Sequence, residues 1–388
     1  MITETDIRDF YDVVISGGGP TGLLLALLLS RKNISCLVVE QRRDITRHSR
    51  SIGIHPPSMF VLRKAGLDRA FMNSGVMIKR GHAMTDIRTH LGTVNFHCLP
   101  QPFQFVLANP QHSTERILEE AAIEASGVDL LKGATLADFR QYPDSVQTII
   151  TTSGQEYPTE ARFLVGCDGK HSTVRQKAGI GFTGKAYSNR YVMGDFEDLT
   201  GLTPEAYIFT SKDGLVESFP LPGNIRRWVA EKNTETGEAS PRMLAELISE
   251  RIGTMPDVAS NSMISNFSAE SFLAKHLASG RIILAGDAAH IVSPIGGQGM
   301  NLGWLDADSL ATGLDAVYNR GASAAIQLRH YNRIRRSRAR RAIKRAEFNM
   351  MLAHKSRFPE VRNSILQLLL NPPFEQLLAR RFTMAGLE

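Results

Sequence analysis

Two short runs of this sequence set glycines and carboxylates at spacings suited to a phosphorylated ligand. The first is DVVISGGGPTG, residues 12–22, where Gly17, Gly19 and Gly22 separate a strand-like stretch from a helix-like one. Gly17 permits a tight turn, Gly19 lets backbone approach a pyrophosphate, and Gly22 lets the helix pack on the strand. The helix start supplies N–H groups and partial positive charge to the phosphates. Glu40 ends the next strand-like run, SCLVVE, at the distance expected of a carboxylate bonding a ribose hydroxyl. On this run alone, NAD and FAD are not separable.

The second run is RIILAGDAAHIVSPIGGQGMNLG, residues 281–303. Asp287 follows a strand and can accept hydrogen bonds from a polyol. The turn Gly296-Gly297-Gln298-Gly299-Met300-Asn301 exposes backbone N–H groups at a helix start, which suits an electron-rich ring edge. FAD is long enough to hold its adenylate at one such turn and its ribityl–isoalloxazine at another. NAD has no use for the second turn, so the pair points to FAD.

The elements that must position these groups follow from pattern. Residues 12–40 read as one βαβ unit with a buried parallel strand. HPPSMFVLRKAGL (55–67) reads as a helix entered through prolines and ended near Gly66. Residues 82–97 alternate around Leu91-Gly92, which predicts a hairpin turning there. QHSTERILEEAAIEASG (111–127) is an amphipathic helix, and RFLVGCDG (162–169) a strand ending in an acid and a glycine. From 190 to 231, short strands separated by KDG and PGN predict an antiparallel meander inserted between α/β segments. ASPRMLAELISERIG then reads as a helix, and the tail after 320 as mostly helical.

Composition narrows the function classes. The 388 residues carry 45 Lys and Arg against 39 Asp and Glu, a net charge of +6. Much of the excess sits in HYNRIRRSRARRAIKR, 330–345. Such a run reads first as a solvated or capping helix face, and second as a peripheral membrane contact; no nucleic-acid partner is expected. Cys36, Cys98 and Cys167 are scattered, without CxxC spacing, and predict free thiols. The N-terminus lacks the pattern of a secretion signal, and LLLALLLS (23–30) is too short to span a bilayer. A reducing cytoplasm fits these features. No Ser/His/Asp arrangement, metal-ligand spacing or Walker loop is present, so phosphoryl transfer, hydrolysis and a metal site have no support.

GGGPTG, CDGKHSTVR (167–175) and GDAAHIVSPIGGQGMN (286–301), in that order, resemble the three motifs of class A flavin-dependent aromatic hydroxylases, the group of para-hydroxybenzoate hydroxylase. The resemblance covers nearly the whole chain and is weakest over 190–270. It implies an NAD(P)H-dependent monooxygenase, in which O2 reacts at reduced flavin to a C4a-hydroperoxide that transfers oxygen to an aromatic or enolic small molecule. It implies that Thr21 and Glu40 hold the adenosine half of FAD, and that Arg50 reaches the diphosphate region. Gln111 would lie near the ribityl chain. Asp168 and Gly169 would serve the phosphate region and the passage of the nicotinamide nucleotide. Asp287 would bind the ribityl chain, Gly299, Met300 and Asn301 the pyrimidine edge, and Pro294 would sit beside the flavin on the substrate side. Pro294 and Arg50 are the residues expected nearest the chemistry.

His290 reads as a positioned loop histidine. His55, His82, His97 and Glu217 could face substrate, with exposed or structural roles as the alternative. NADPH and NADH stay open as reductant, since no second dinucleotide fingerprint occurs.

The expected fold is α/β: a discontinuous FAD-binding Rossmann-like domain (1–75, 104–180, 268–330), an inserted antiparallel β-sheet substrate domain (76–103, 181–267) and C-terminal helices (331–388). Two other readings stay open: a flavin-dependent reductase of an isoprenoid-like substrate, and a flavin-binding partner protein. A flavin halogenase would want a Trp-x-Trp-x-x-Pro segment, which IRRWVAEK lacks.

Overall fold

The strand Phe10–Ser16 lies at the centre of a sheet because both of its faces are apolar. It pairs in parallel with Gln155–Gly166 on one side and Cys36–Glu40 on the other. Val128–Lys132 and Ile282–Leu284 extend the parallel set outwards, in the order 282–284, 155–166, 10–16, 36–40, 128–132. The first half of Gln155–Gly166 is instead antiparallel to Val146–Thr152, which pairs with Ala134–Gln141. The helix Pro20–Ser30 is apolar all round and buried from Gly22 to Leu29, as a helix enclosed on every side must be. It packs against the helices Gln111–Glu124 and Gln298–Arg320. The computed structural model describes residues 1–45, 51–232, 238–353, 359–372 and 374–388.

A second eight-stranded sheet stands over the first. Its order is His290–Ile291, Met263–Ala274, Phe182–Glu197, Ile225–Lys232, Gly214–Leu221, Ala206–Ser211, Arg80–Met84, His90–Asn95. All neighbours are antiparallel except Ala206–Ser211 with Arg80–Met84. One face buries Val192, Phe196, Phe209, Val216 and Trp228 against Leu244, Ile248 and Ile252 of the helix Pro241–Ile252. Ser240 caps that helix through its hydroxyl, and Gly253 ends it in the left-handed region at φ 80°. The other face looks into a cavity.

The meander and its helix match the sequence expectation, but the preceding hairpin turns elsewhere. Arg80–Met84 and His90–Asn95 are joined at Thr85–Thr89, where the Asp86 carboxylate accepts from the backbone N–H of Arg88 and Thr89. Gly92 sits within a strand opposite Ala83, because the aspartate organises the turn more strongly than the glycine does. Cys36, Cys98 and Cys167 are free thiols, as expected.

The basic run lies on the helix Ala324–Ala353, where Arg333, Arg340, Arg341 and Lys344 are exposed as a solvated or capping face would have them, but Arg335 is not. Tyr331, Arg335, Ala339, Ala342 and Ala346 form its buried stripe. Arg335, only 1% exposed, donates from Nε to Asp306 Oδ1 at 2.8 Å and from a terminal nitrogen to the Leu387 carbonyl at 2.8 Å. Arg338 and Arg345 donate to the carbonyls of Gly386 and Ala385, and Arg336 to that of Ala274. These four guanidiniums clasp the chain's own carbonyls, so the membrane-contact reading has no support from them. Among the described residues no helix is long and apolar enough to cross a membrane.

Asp306 has no solvent exposure and also receives His290 Nε2 at 2.5 Å. Burial pushes its carboxyl up, but His290 and Arg335 together outweigh that and hold it below the ordinary 3.8. Arg335→Leu should destabilise the protein by about 3–5 kcal/mol, because it strands a buried carboxylate, whereas Arg340→Glu, on the exposed side, should be near neutral. Urea unfolding at pH 7 measures both. The Arg335 effect should be full above pH 3.8 and fade as pH falls below it, since a depressed folded pKa gives stability that protonation removes.

Candidate functional site

Each motif glycine of the first run has its own physical reason. Gly17 turns with φ at +106°, and a Cβ there would lie 2.4 Å from the Cys167 carbonyl oxygen. A Cβ on Gly22 would lie 2.0 Å from the Gly17 carbonyl oxygen, so only glycine lets the helix seat on the turn. Gly19 caps the helix, and a Cβ there would meet nothing within 4 Å. That space belongs to a cavity of about 890 Å³ that Gly19, Pro20 and Thr21 help to line. The first-turn N–H groups of a helix such as Pro20–Ser30 have no acceptor within the helix, and such groups suit an anion.

Glu40, 6% exposed, is already engaged. Its Oε2 accepts from Gly18 N–H at 2.7 Å, and its Oε1 from the Arg42 backbone and Nε at 2.8 and 2.9 Å. The carboxylate therefore shapes the glycine turn. A Cβ on Gly18 would lie 2.8 Å from Glu40 Cβ, so the glycine at a nominally free motif position is required as well. The spacing rule carries no signal for it.

The second run meets the first directly. Thr21 is wedged between Gly286 and Gly303, where added Cβ atoms would lie 2.8 and 2.4 Å from its Oγ1. Gly286 takes φ +62°, and its N–H donates to Asp306 Oδ2 at 3.1 Å. Trp304 Nε1 donates to the Pro20 carbonyl at 2.9 Å. Asp287 lines the cavity and is exposed to it. The surrounding protein still pushes its carboxyl up by desolvation, against a smaller opposing pull from His290. His290 itself is fully buried on Asp306, which fits a positioned loop histidine.

Asp168 accepts from Val174 N–H at 3.1 Å with Oδ2, while Oδ1 is buried without a hydrogen-bond partner among the described residues. Burial raises this carboxyl too, with bonds from Ser172, Val174 and Thr173 pulling the other way. Gly169 lines the cavity at φ +78°. Arg175 donates to the Ala288 and Lys170 carbonyls, fastening this segment to the Asp287 turn, and lies over the Phe182 ring at 3.9 Å. Sequence reasoning quoted Arg175 without seeing this tie. Gln111 lines the cavity, accepts from Ser51 N–H at 3.2 Å and donates to Glu115 at 2.8 Å.

Pro294, Gly299 and Met300 line the cavity. The Asn301 side chain does not. Its Oδ1 accepts from His55 N–H and its Nδ2 donates to the Gly53 and Gly297 carbonyls, each at 2.8 Å. Asn301 thus pins the His55 loop to the glycine turn. Gln298, fully buried beside it, has both amide ends without a partner among the described residues. His55 shares Nε2 with the Gly296 carbonyl at 3.0 Å, and burial holds its ring down to about 4, so it is neutral at pH 7. Arg50 lies outside the described residues.

The roof is the free face of the second sheet: Met193, Ile208, Leu215, Phe219 and Val229, interrupted by Glu217 and Arg227. Asp195 holds Arg227 by two bonds of 2.6 and 2.7 Å. His82 lines the cavity on Glu205 at 2.5 Å and stacks on Tyr207. His97 is exposed and lies away from the cavity. Leu366, Leu370 and Phe382 close one end from the C-terminal helices, which the meander pattern gave no reason to expect.

A family model described as an FAD binding domain matches residues 10–346. The chain belongs to that family. The three-motif resemblance to class A flavin hydroxylases is borne out at this level, and so is the cofactor, FAD. Rifampicin monooxygenase of Streptomyces venezuelae is 34% identical over 316 residues, covering 79% of this chain. The chain spans 64% of that relative's length. Anhydrotetracycline hydroxylase from Streptomyces rimosus superposes with a TM-score of 0.79 at 28% identity, over 96% of this chain and 76% of its own. The p-nitrophenol 4-monooxygenase from Pseudomonas putida DLL-E4 superposes at 0.88 over 98% of this chain and 99% of its own, and at 23% identity it shows the fold.

The open space at Gly19, the unpartnered Asp168 oxygen and the cavity-facing Asp287 fit a ligand with phosphate and polyol parts. Gly19→Ala should therefore fold normally but retain FAD about tenfold less well or worse, as the loss of a charge-assisted hydrogen bond would give. Gly18→Ala should lower stability and FAD retention together, because Glu40 must shift. Thermal melting of the flavin-free proteins, followed by FAD titration, separates the two effects. A normal FAD affinity in Gly19→Ala would count against the phosphate assignment.

Proposed function

We propose that this chain is an NAD(P)H-dependent FAD monooxygenase that hydroxylates an aromatic or enolic small molecule with O2. One observation carries the reading. A single cavity of about 890 Å³ runs from the glycine and carboxylate turns of the first sheet to the apolar roof of the second. Relatives named as monooxygenases of rifampicin and of tetracycline precursors support the same class.

In this reading Gly17, Gly19 and Gly22 place the helix N-terminus at the pyrophosphate. Glu40 and Thr21 order the adenosine side, with Arg50 reaching the diphosphate. Gln111, Asp168, Gly169 and Asp287 take the ribityl and phosphate region. The backbone at Gly299, Met300 and Asn301 takes the ring edge, and the Asn301 side chain holds that backbone in place. Pro294 stands on the substrate side. Bound FAD supplies reduction by a nicotinamide nucleotide and activation of O2. The chain's own contribution is orientation and the exclusion of water. Met193, Ile208, Leu215, Phe219 and Val229 give the substrate side an apolar lining that an aromatic ring completes.

Coupling tests the proposal. A true substrate should speed NAD(P)H oxidation and divert oxygen from hydrogen peroxide into hydroxylated product. Phe219→Ala should leave NAD(P)H oxidation within about threefold of normal while peroxide release rises, since a trimmed roof admits water. Oxygen electrode, peroxide assay and product chromatography measure this together. A ligand that stimulates NAD(P)H oxidation while no oxygen is consumed would overturn the reading in favour of a reductase.

A further inference from the structure

Glu217 sits in the middle of the strand Gly214–Leu221, opposite Val229 on one side and Ile208 on the other. Leu215 and Phe219, its same-face neighbours along the strand, complete an apolar ring, and all five residues line the cavity. Its side chain is largely enclosed, with 8% exposure for the residue. Arg227, the neighbouring charged group on this face that also lines the cavity, is matched by Asp195. The Glu217 carboxylate has no hydrogen-bond or ion-pair partner among the described residues.

An unmatched acid in an apolar ring contributes nothing to packing that leucine would not do better. A native structure retains such a group for a reason outside its own packing. Burial alone pushes this carboxyl up to about 7, so it can hold or release a proton near neutral pH.

We propose that Glu217 is the roof's recognition group for substrate, accepting a hydrogen bond from a hydroxyl or amino donor on the aromatic ring. The cavity then selects phenols and aromatic amines over their alkylated counterparts. A carboxylate in this position orients the donor-bearing carbon relative to the flavin side. It also takes up the donor's proton when the ring is activated towards an electrophilic oxygen, and no co-reactant is needed for that transfer. The inference rests on the proposed function only in taking the cavity's ligand to be aromatic.

The test is a binding experiment on the oxidised holoenzyme without NAD(P)H, so that it stands apart from turnover. The probes are 2-naphthol and its methyl ether, 2-methoxynaphthalene, read by perturbation of the flavin absorbance spectrum. The wild type should prefer the naphthol at least about tenfold, the worth of one hydrogen bond to a charged group. Glu217→Leu should bring the preference close to unity with flavin content unchanged and the melting temperature not lowered. Glu217→Gln, an uncharged acceptor, should fall between.

The wild-type preference should shrink as pH drops below about 7, where the carboxylate takes up a proton, and should be flat in Glu217→Leu. Tyr191, Asp195, Arg227 and Glu231 face this region from the neighbouring strands, and Asp287 and His55 from the floor. A pH effect that survives in Glu217→Leu belongs to them and overturns the assignment. So does a wild type with no preference, or a preference that survives in Glu217→Leu. If Glu217→Leu fails to fold, a Glu217→Gln protein with the full wild-type preference overturns it equally. Hydroxylation of naphthol without any binding preference would sink this inference and leave the monooxygenase reading standing.

Discussion

Asp306 is a carboxylate with no solvent exposure that takes hydrogen bonds from Arg335, His290 and the Gly286 backbone. Burying a lone charge costs several kcal/mol, and only close partners offset it. The partners come from the 286–290 turn and from the helix Ala324–Ala353, so one carboxylate on the helix Gln298–Arg320 ties three segments together. Gly286 and His290 bracket Asp287, which therefore enters the cavity from a turn that cannot drift. Arg335 carries the same constraint out to the C-terminus through the Leu387 carbonyl. The cavity floor and the tail are held by one network.

The cavity is built from two surfaces with opposite physics. Its floor consists of turns, where glycines bring backbone close and N–H groups stay available. Its roof consists of a regular sheet whose alternation gives one face to the helix Pro241–Ile252 and the other to the cavity. A sheet buried on both faces needs apolar residues on both, and Val216 and Leu215, adjacent in the chain, serve opposite faces. The roof can therefore vary in shape without disturbing the floor. That separation is a physical reason why relatives named for substrates as different as rifampicin and anhydrotetracycline can share one fold.

Much of the floor was legible in the sequence, because turns that approach phosphate demand glycine at fixed offsets. Gly17, Gly19 and Gly22 stand where their spacing placed them. Gly18 was not legible, since its need comes from Glu40, which the chain brings back only after folding. Asn301 was read as part of a ring-edge turn; what its spacing did not tell is that its side chain bonds His55, Gly53 and Gly297 and so holds that backbone. Arg335 was read as part of a solvated run, because charge in a sequence carries no sign of a buried acid elsewhere. The hairpin turn was misplaced because Gly92 looks like a turn residue when the Asp86 bonds to Arg88 and Thr89 are unknown. Local rules located what local geometry decides, and long-range partners decided the rest.

The floor's carboxyls show how a ligand and this fold depend on each other. Asp168 and Asp287 are both pushed up by desolvation, and neither has an ion-pair partner among the described residues. One oxygen of Asp168 and both ends of the Gln298 amide, fully buried at the second turn, have no hydrogen-bond partner among the described residues. A buried polar group costs roughly 1–3 kcal/mol when nothing bonds it. Hydroxyl and ring N–H donors entering the cavity would bond these groups, so the binding free energy of such a ligand includes those hydrogen bonds. Ligand that binds only the folded state adds to stability by mass action. The groups that favour such a ligand are then the ones that give it specificity. A floor satisfied without ligand would be more stable alone, and would have nothing left with which to distinguish a polyol-linked ring from any other.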